Sequence, residues 1–381
     1  MTAEGVSQAS HAKEQLKIHV LNADEGDSIL IEFPNNIWGV VDSNRKHQNA
    51  PIPALEFLKR MEKLNRFDKI AFVALTHPHF DHFRGLCHLI ETFKPKIERF
   101  WDFGVKVKPI ANYFYRIYRD DEEKQRADEF YRLYDLILSI RTERQREGKR
   151  FYDNCSSFKL MLTLSPNIDV IALSPSGDDQ EDYLSKISLY DADELPSGVG
   201  SIDHNKISSI LLIRFYQHFI ILGSDADKET WGRILQDERS MGLRDEVHPL
   251  DYLKSHIVKV SHHGSTTALH PKLWQTLSIE GVTVALISAD GVVNPRRETV
   301  SAILSSGAFV FCTNNPQRND FPVRLKPQTL EAFKSRNVYP ISTEEPEESY
   351  VTVTIDANGS VTTQPYNVYE FLDIDTIHPV R

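Results

Sequence analysis

Between positions 76 and 82 the chain reads Thr-His-Pro-His-Phe-Asp-His, which sets His77, His79, Asp81 and His82 within six residues. The apolar run Ile70-Ala71-Phe72-Val73-Ala74-Leu75 comes directly before it. That run has the length and β-branched content of a buried strand, so the cluster belongs to the loop at a strand's end. Alternate residues of an extended segment point the same way, so His77 and His79 can share one cation. Asp81 and His82 then turn aside and can serve a second cation. Imidazole and carboxylate without thiolate suit Zn²⁺ first, with Mn²⁺ or Fe also compatible. A loop that is merely rich in histidine rarely reaches this spacing after a strand.

The H-x-H-x-D-H pattern resembles that of the metallo-β-lactamase superfamily. This resemblance implies an α/β chain folded as an αββα sandwich, with further ligands arriving from later strand ends. His204, with Ser208 four places on, matches the superfamily's third motif. Asp225, 21 residues past His204 (225 − 204) at the end of Phe219-Ile220-Ile221-Leu222, matches its metal-bridging aspartate. Asp227 is the competing candidate and stands further from the strand. Ile257-Val258-Lys259-Val260 leads into Ser261-His262-His263-Gly264-Ser265. Either imidazole can reach a site there, although neighbours on a strand end diverge. The superfamily's last element assigns His263 as the ligand and leaves His262 to contact substrate or a ligand. Asp42, closing Trp38-Gly39-Val40-Val41, corresponds to an aspartate that orients ligands without binding metal. The implied set is His77, His79 and His204 for one metal, Asp81, His82 and His263 for the other, and Asp225 between them.

A narrower likeness is to the metallo-β-lactamase domain of bacterial competence-channel proteins. Gly26-Asp27-Ser28-Ile29-Leu30-Ile31, His262-His263-Gly264-Ser265, Asn294-Pro295-Arg296-Arg297, Gly307 to Thr313 and Ser349 to Thr354 carry it. It covers most of 16–110 and 155–365. His204 replaces an asparagine frequent in that subgroup, and Arg296-Arg297 replace a stretch bearing histidine.

The elements that must hold these residues are legible in outline. Lys17 to Leu21 alternates as a strand, and Ile29 to Phe33 and Trp38 to Val41 flank a turn at Pro34-Asn35-Asn36. A helix from Ile52 to Leu64, opened by Pro51 and Pro53, leads to the strand before the histidines, and Lys96 to Trp101 reads as the next strand. Phe83-Arg84-Gly85-Leu86 opens a helix beside the ligands, at an end that also favours anions. Residues 111–150 read as a helical insertion, with Phe130, Leu133, Tyr134, Ile137 and Leu138 on one apolar face and charges elsewhere. The insertion is either a lid that meets a phosphate-rich substrate or a solvated face and protein contact, the usual fate of charge runs. Strand–helix alternation is expected to resume at Phe158 to Leu162 and Val170 to Leu173. The polar segment Gly177 to Gly200 reads as loop with a helical turn or two. The single domain is expected to span 16–365, with 1–15 and 366–381 as tails.

Composition sets outer bounds. Of 381 residues 40% are hydrophobic, enough for a sizeable core, and no run approaches the ~20 apolar residues of a membrane span. The start, Met1 to Gln15, lacks a signal peptide's apolar core. Three scattered cysteines, Cys87, Cys155 and Cys312, suit a reducing cytoplasm. A net charge of −10 argues against indiscriminate coating of nucleic acid, though not against a locally basic cleft.

Two cations about 3.5–4 Å apart would acidify a water between them and polarise a phosphoryl or carbonyl oxygen. Asp81 is then a proton acceptor and His262 a proton donor to the leaving group. Arg296, Arg297, Ser265 and Thr266 suit phosphate oxygens, since guanidinium forks and hydroxyls fit them. The expected function is a metal-dependent hydrolase, a phosphodiesterase or nuclease acting on nucleic acid or a nucleotide. A lactam, lactone or thioester hydrolase is the second reading. A non-catalytic metal-binding module, docking a partner or a second copy through 111–150, is the third.

Overall fold

A computed structural model of the chain describes residues 14–105, 107–117, 121–189, 202–236, 251–289, 292–314, 349–373 and 376–380. Two sheets form the centre. The first has eight strands, in the order Val361–Tyr366, Tyr350–Asp356, Gln15–Leu21, Ser28–Phe33, Ile37–Ser43, Lys69–Ala74, Phe100–Asp102 and Tyr152–Asn154. The second has nine: Thr376–Val380, Val368–Asp373, Phe309–Cys312, Val284–Ile287, Ile257–Lys259, His218–Leu222, Leu211–Phe215, Ile168–Ala172 and Lys159–Ser165.

Strands whose alternate residues are both apolar must be covered on two faces, and here they are. Ile18, Val20, Ile29, Ile31, Phe72 and Trp101 of the first sheet pack against Val170, Ile213, Ile220 and Leu286 of the second. Phe72 and Trp101 stack with centroids 4.0 Å apart and planes 13° from parallel. Each such ring, fully withdrawn from water, contributes on the order of 2–3 kcal/mol. The outer face of the first sheet is covered by helices Pro53–Lys63 and Leu86–Phe93, through Leu58, Met61, Leu89 and Ile90. Helices Lys228–Gln236, Leu273–Leu277 and Arg297–Ser305 cover the second, through Trp231, Trp274, Val300 and Ile303. The layers are therefore helix, sheet, sheet, helix, the α/β αββα sandwich expected from the sequence.

Several boundaries differ from the sequence reading. Residues 366–381, expected as a tail, supply the hairpin Val368–Asp373 and Thr376–Val380, which pairs antiparallel with Phe309–Cys312. The strand expected over 96–101 is Phe100–Asp102, because Lys94–Lys96 makes a 3₁₀ turn first. Lys159–Ser165 and Ile168–Ala172 pair antiparallel, so a hairpin stands where strand–helix alternation was expected. Gly177–Ser188 is a three-turn helix, not loop. Its N-terminus is a capping box: Ser176 Oγ accepts from Asp179 N, and the Asp179 carboxylate accepts from Ser176 N. The remainder of that segment, 190–200, lies outside the described residues, as do 1–13.

The insertion is a helical pair, Val107–Ile117 and Asp121–Arg146, beginning a few residues earlier than expected. Ile110, Ala111, Phe114, Phe130, Leu133, Ile137 and Ile140 are buried in the layer on the first sheet, so it is core on one side. Leu138, assigned to that face from its spacing, is 52% exposed. Cys87, Cys155 and Cys312 are buried and form no disulfide among the described residues. Among the described residues no helix is long and apolar enough to cross a membrane.

Candidate metal centre

Two parallel strand pairs, one per sheet, end at the same rim. In the first sheet Ile37–Ser43 runs parallel to Lys69–Ala74, with Val41 opposite Ala74. In the second His218–Leu222 runs parallel to Ile257–Lys259, with Leu222 opposite Lys259. Loops at the carboxyl ends of parallel strands are where open α/β sheets place their sites. The first pair delivers Asp42 and the 77–82 cluster, and the second delivers Asp225 and His262-His263.

Four non-glycine residues at this rim have left-handed backbone: Asp42 (φ 56°), Ser224 (φ 46°), His262 (φ 48°) and His263 (φ 53°). Such conformations cost about 1–3 kcal/mol each and persist where the surroundings over-determine them. Here they turn the chain sharply at each strand's end.

The donors form two groups that share Asp225. Donor atoms of His77, His79 and Asp225 lie within 4.8 Å of one another, as do those of Asp81, His82, His263 and Asp225. His77 Nε2 and His79 Nδ1 are 2.9 Å apart, and His77 Nε2 is 3.8 Å from Asp225 Oδ2. The same Oδ2 is 3.5 Å from both His82 Nε2 and His263 Nε2. Asp81 Oδ2 is 3.6 Å from His82 Nε2 and 3.5 Å from His263 Nε2. The carboxylate–imidazole separations, 3.5–3.8 Å, are long for hydrogen bonds, and His82 Nε2, His263 Nε2 and Asp225 Oδ1 are buried without a hydrogen-bond partner. Buried polar atoms left in this way are costly unless something satisfies them. A cation between them fits, and the donor set of imidazoles and carboxylates suits Zn²⁺ or Mn²⁺.

The tautomers agree. His263 Nδ1 is 2.8 Å from the Ser288 carbonyl, which only accepts, so Nδ1 carries a proton and Nε2 is the nitrogen that would offer its lone pair to a cation. His82 Nδ1 likewise donates to Asp42 Oδ2 at 2.7 Å, and Asp42 also accepts from Thr76 N and Thr76 Oγ1. Asp42, fully buried, thus holds His82 and the start of the histidine loop together. Asp227, the rival of Asp225, is engaged elsewhere: its Oδ1 accepts from Thr230 N and caps the helix Lys228–Gln236.

Charge follows the same division. Burial lowers His77 well below its usual range, with His82 and His79 adding to the effect, and burial also lowers His79. Burial opposes protonation of His82, but Asp225, Asp42 and Asp81 outweigh it and raise it well above. His263 is likewise raised, to about 10, against burial and chiefly by Asp225. Burial raises the carboxyls of Asp81 and Asp225, and the facing His82 and His263 more than reverse this. Without metal, protons on these two imidazoles supply the positive charge that the acidic pocket needs.

His204 stands at the edge. Its ring centroid is 5.2 Å from that of His79, but none of its nitrogens belongs to the two donor groups. Tyr183 Oη lies 2.5 Å from its Nδ1, and the rings of Tyr113 and Phe114 pack on it at 5.2 and 5.5 Å. Burial lowers it well below its usual range, so it is neutral with a lone pair to offer. Tyr113 and Phe114 belong to the first helix of the insertion, Val107–Ile117, which therefore packs on His204 as well as on the core. Of the two readings of 111–150, the solvated surface fails on this side.

His262 is half-buried and turned from the donors, with Nδ1 2.9 Å from Thr267 Oγ1 and Nε2 3.5 Å from Asn205 Nδ2. Ser265 Oγ accepts from Thr267 N, while Thr266 is exposed. Arg296 N donates to the Gly264 carbonyl at 3.0 Å, which ties the start of the helix Arg297–Ser305 to the His263 turn. Arg296 and Arg297 are half-buried on that edge.

Sequence reasoning missed Asp27, Lys259, Ser288 and Tyr183. Lys259 Nζ and Ser288 Oγ both donate to the Asp27 carboxylate, 3.7 Å from His263 Nδ1. Lys259 and Asp27 are fully buried. A lone lysine inside Ile257-Val258-Lys259-Val260 was the available signal, because a lysine in a buried strand requires a partner. Tyr183 gave none, since its helix was read as loop.

No family model matches the chain, and no curated protein matches it. Solved structures similar to it include a point mutant of the CmlA β-hydroxylase, unliganded yeast PDE1 and Zn²⁺-bound PqqB from Methylobacterium extorquens. Identities are 11, 12 and 9%, and TM-scores are 0.37, 0.37 and 0.38. The matches cover 83, 85 and 77% of this chain and 56, 95 and 97% of those chains, so it spans about half of the hydroxylase. The functional reading rests on the geometry of the site.

Proposed function

We propose that the protein is a hydrolase with two divalent metal ions that cleaves phosphodiesters, with nucleic acid or a nucleotide as substrate. The observation that carries this is the sharing of Asp225 Oδ2 between two groups of donors. A carboxylate so placed holds two cations close while offsetting their repulsion. His77 and His79, with His204 beside them, hold one. Asp81, His82 and His263 hold the other. When bound, the pair supplies Lewis acidity toward the substrate and toward a water.

The chain's own groups do the rest. Asp42 and the Ser288 carbonyl fix the rings of His82 and His263. Asp81, ionised beside two imidazoles, accepts a proton. Burial lowers the His262 imidazole below its usual range; it takes a proton from solvent and passes it to the leaving oxygen, while the proton accepted by Asp81 returns to solvent. Arg296, Arg297, Ser265 and Thr266, along the edge of the His263 turn, contact phosphate oxygens. The sequence resemblance to the competence-channel domain supports nucleic acid over a lactam or thioester.

The test is metal content and turnover together. Protein loaded with Zn²⁺ or Mn²⁺ is assayed on bis(p-nitrophenyl) phosphate, single- and double-stranded DNA, RNA and a lactam. Two metals per chain are expected, with phosphodiester cleavage lost in His79→Ala and Asp225→Ala. Full activity with both metals retained in Asp225→Ala would sink the reading, as would turnover of the lactam alone.

A further inference from the structure

Behind the turn that carries Asp81 and His82, a cavity of about 760 Å³ opens between the loop at 45–49, the helix Phe80–Phe83 and the insertion helix Asp121–Arg146. Its charge runs against the net −10 of the chain. Five cationic side chains line it, Arg45, Lys46, Arg84, Arg126 and Arg132, against the carboxylates of Asp128 and Glu129, with His47 and His88 alongside. Arg45 is 9% exposed, and its Nη2 approaches Glu129 Oε1 only to 3.9 Å. Arg45 Nε, Arg84 Nε, His88 Nδ1 and Glu129 Oε1 are buried without a hydrogen-bond partner. Arg132 is exposed and paired with Glu91, but Arg45 and Arg84 each keep a guanidinium nitrogen withdrawn from water and unsatisfied, which is unfavourable until an anion arrives. Arg84 Nη1 donates to the Arg45 and Lys46 carbonyls and thereby shapes the loop. Arg84 and Arg126 lie 4.3 and 5.1 Å from the Phe80 ring centroid.

We propose that this cavity binds a second phosphate of the substrate, one not being cleaved, so that the enzyme prefers a nucleotide chain to an isolated diester. The inference rests on the phosphodiesterase reading and adds a specificity site to it. Phe80 adjoins Asp81, and Arg84 lies four residues, about 6 Å of helical rise, from Phe80, so cavity and candidate metal centre share one short element. Guanidinium forks suit phosphate, and a volume of this size admits a phosphate with its sugar. Burial pushes Glu129 up to about 7 against the pull of Arg45, Arg84 and Arg132, which leaves less negative charge to oppose an anion at neutral pH.

The test compares metal-loaded wild type with Arg45→Gln, Arg45→Lys and Arg126→Gln on a short oligonucleotide and on bis(p-nitrophenyl) phosphate, which has one phosphate. Each Gln variant should lower the ratio of kcat/KM for oligonucleotide to that for the diester by about ten-fold or more, through KM, as expected for one lost charge-assisted contact. Arg45→Lys should recover part of it. An unaltered ratio in both Gln variants, with cleavage intact, overturns the cavity proposal and leaves the phosphodiesterase reading standing. Wild type that cleaves neither substrate removes that reading. The cavity is then judged by anisotropy of the labelled oligonucleotide, where binding equal in wild type and the Gln variants rejects it and binding weakened about ten-fold upholds it.

Discussion

Asp42 Oδ2 lies 2.7 Å from His82 Nδ1 across 40 residues of sequence, and the same carboxylate holds the amide and hydroxyl of Thr76. One side chain at the end of one strand therefore sets both the ring plane of a ligand and the entry of the ligand loop from the next. Replacing it by asparagine keeps the shape and removes the charge that fixes the His82 tautomer. Asp42→Asn should weaken metal binding by about 10–100-fold, as such supporting residues do elsewhere. Competition with a chelator would measure it; unchanged affinity would mean that His82 is held by its ring packing alone.

Lys259 and Asp27 form a buried pair that joins the second sheet to the loop before Ser28. Lys259→Met should cost roughly 3–5 kcal/mol, because the buried Asp27 carboxylate keeps only the Ser288 hydrogen bond and the more distant His263 ring, 3.7 Å away. Lys259→Met combined with Asp27→Leu should recover much of that loss, since neither charge then lacks its partner. Urea unfolding of the three variants decides it. A double variant as unstable as the single would show that packing, not charge, is what Lys259 supplies.

The layers and the first four candidate donors could be read from the sequence because both are local: a buried strand is a run of apolar residues, and 77–82 is one continuous stretch. What stayed hidden depends on distance in sequence. Only the resemblance separated His263 from His262; the structure brings His263 to the donors and turns His262 to Thr267 and Asn205. Asp225 and Asp227 differed in sequence only in nearness to the strand, and the structure adds that Asp227 caps a helix. The helix Gly177–Ser188 is disguised by its polar first turn, in which Gly177, Asp178 and Asp179 serve the cap. The hairpin at 368–380 finds its partner in Phe309–Cys312, more than fifty residues back, which no local pattern indicates.

His256 carries a pH dependence separable from the metal centre. It packs edge-on against His218 at 4.6 Å, its Nδ1 has no hydrogen-bond partner, and burial, with His218 second, lowers its pKa to about 4. The folded value lies below the unfolded one near 6.5, so the unfolded chain takes the proton first as pH falls. The contribution to stability is therefore complete above about 6.5 and is lost as pH drops toward 4. In His256→Asn the stability curve should fall less over that window than in wild type. Thermal unfolding at several pH values, with chelator present throughout, provides the comparison; parallel curves would remove His256 as a titrating group in folding.

Gly26 tests how tightly the turn bearing Asp81 is held. A methyl added there would stand 2.1 Å from the Asp81 carbonyl oxygen and 2.2 Å from Asn44 Nδ2. The first is backbone and cannot swing away as a long side chain would. Asn44 is itself anchored, its Nδ2 donating to the Ala23 carbonyl. Gly26→Ala must therefore shift either the turn with Asp81 and His82 or the loop with Asp27. The cost should be about 1–3 kcal/mol of stability, as for other overpacked interiors. The larger effect is expected on the metal bound by Asp81, His82 and His263, since a displacement of an ångström spoils a site of this kind. Metal analysis should find that ion depleted while the one at His77 and His79 is kept. Equal depletion of both would point to general loosening of the rim, and full occupancy of both would show that the neighbouring loop yields instead.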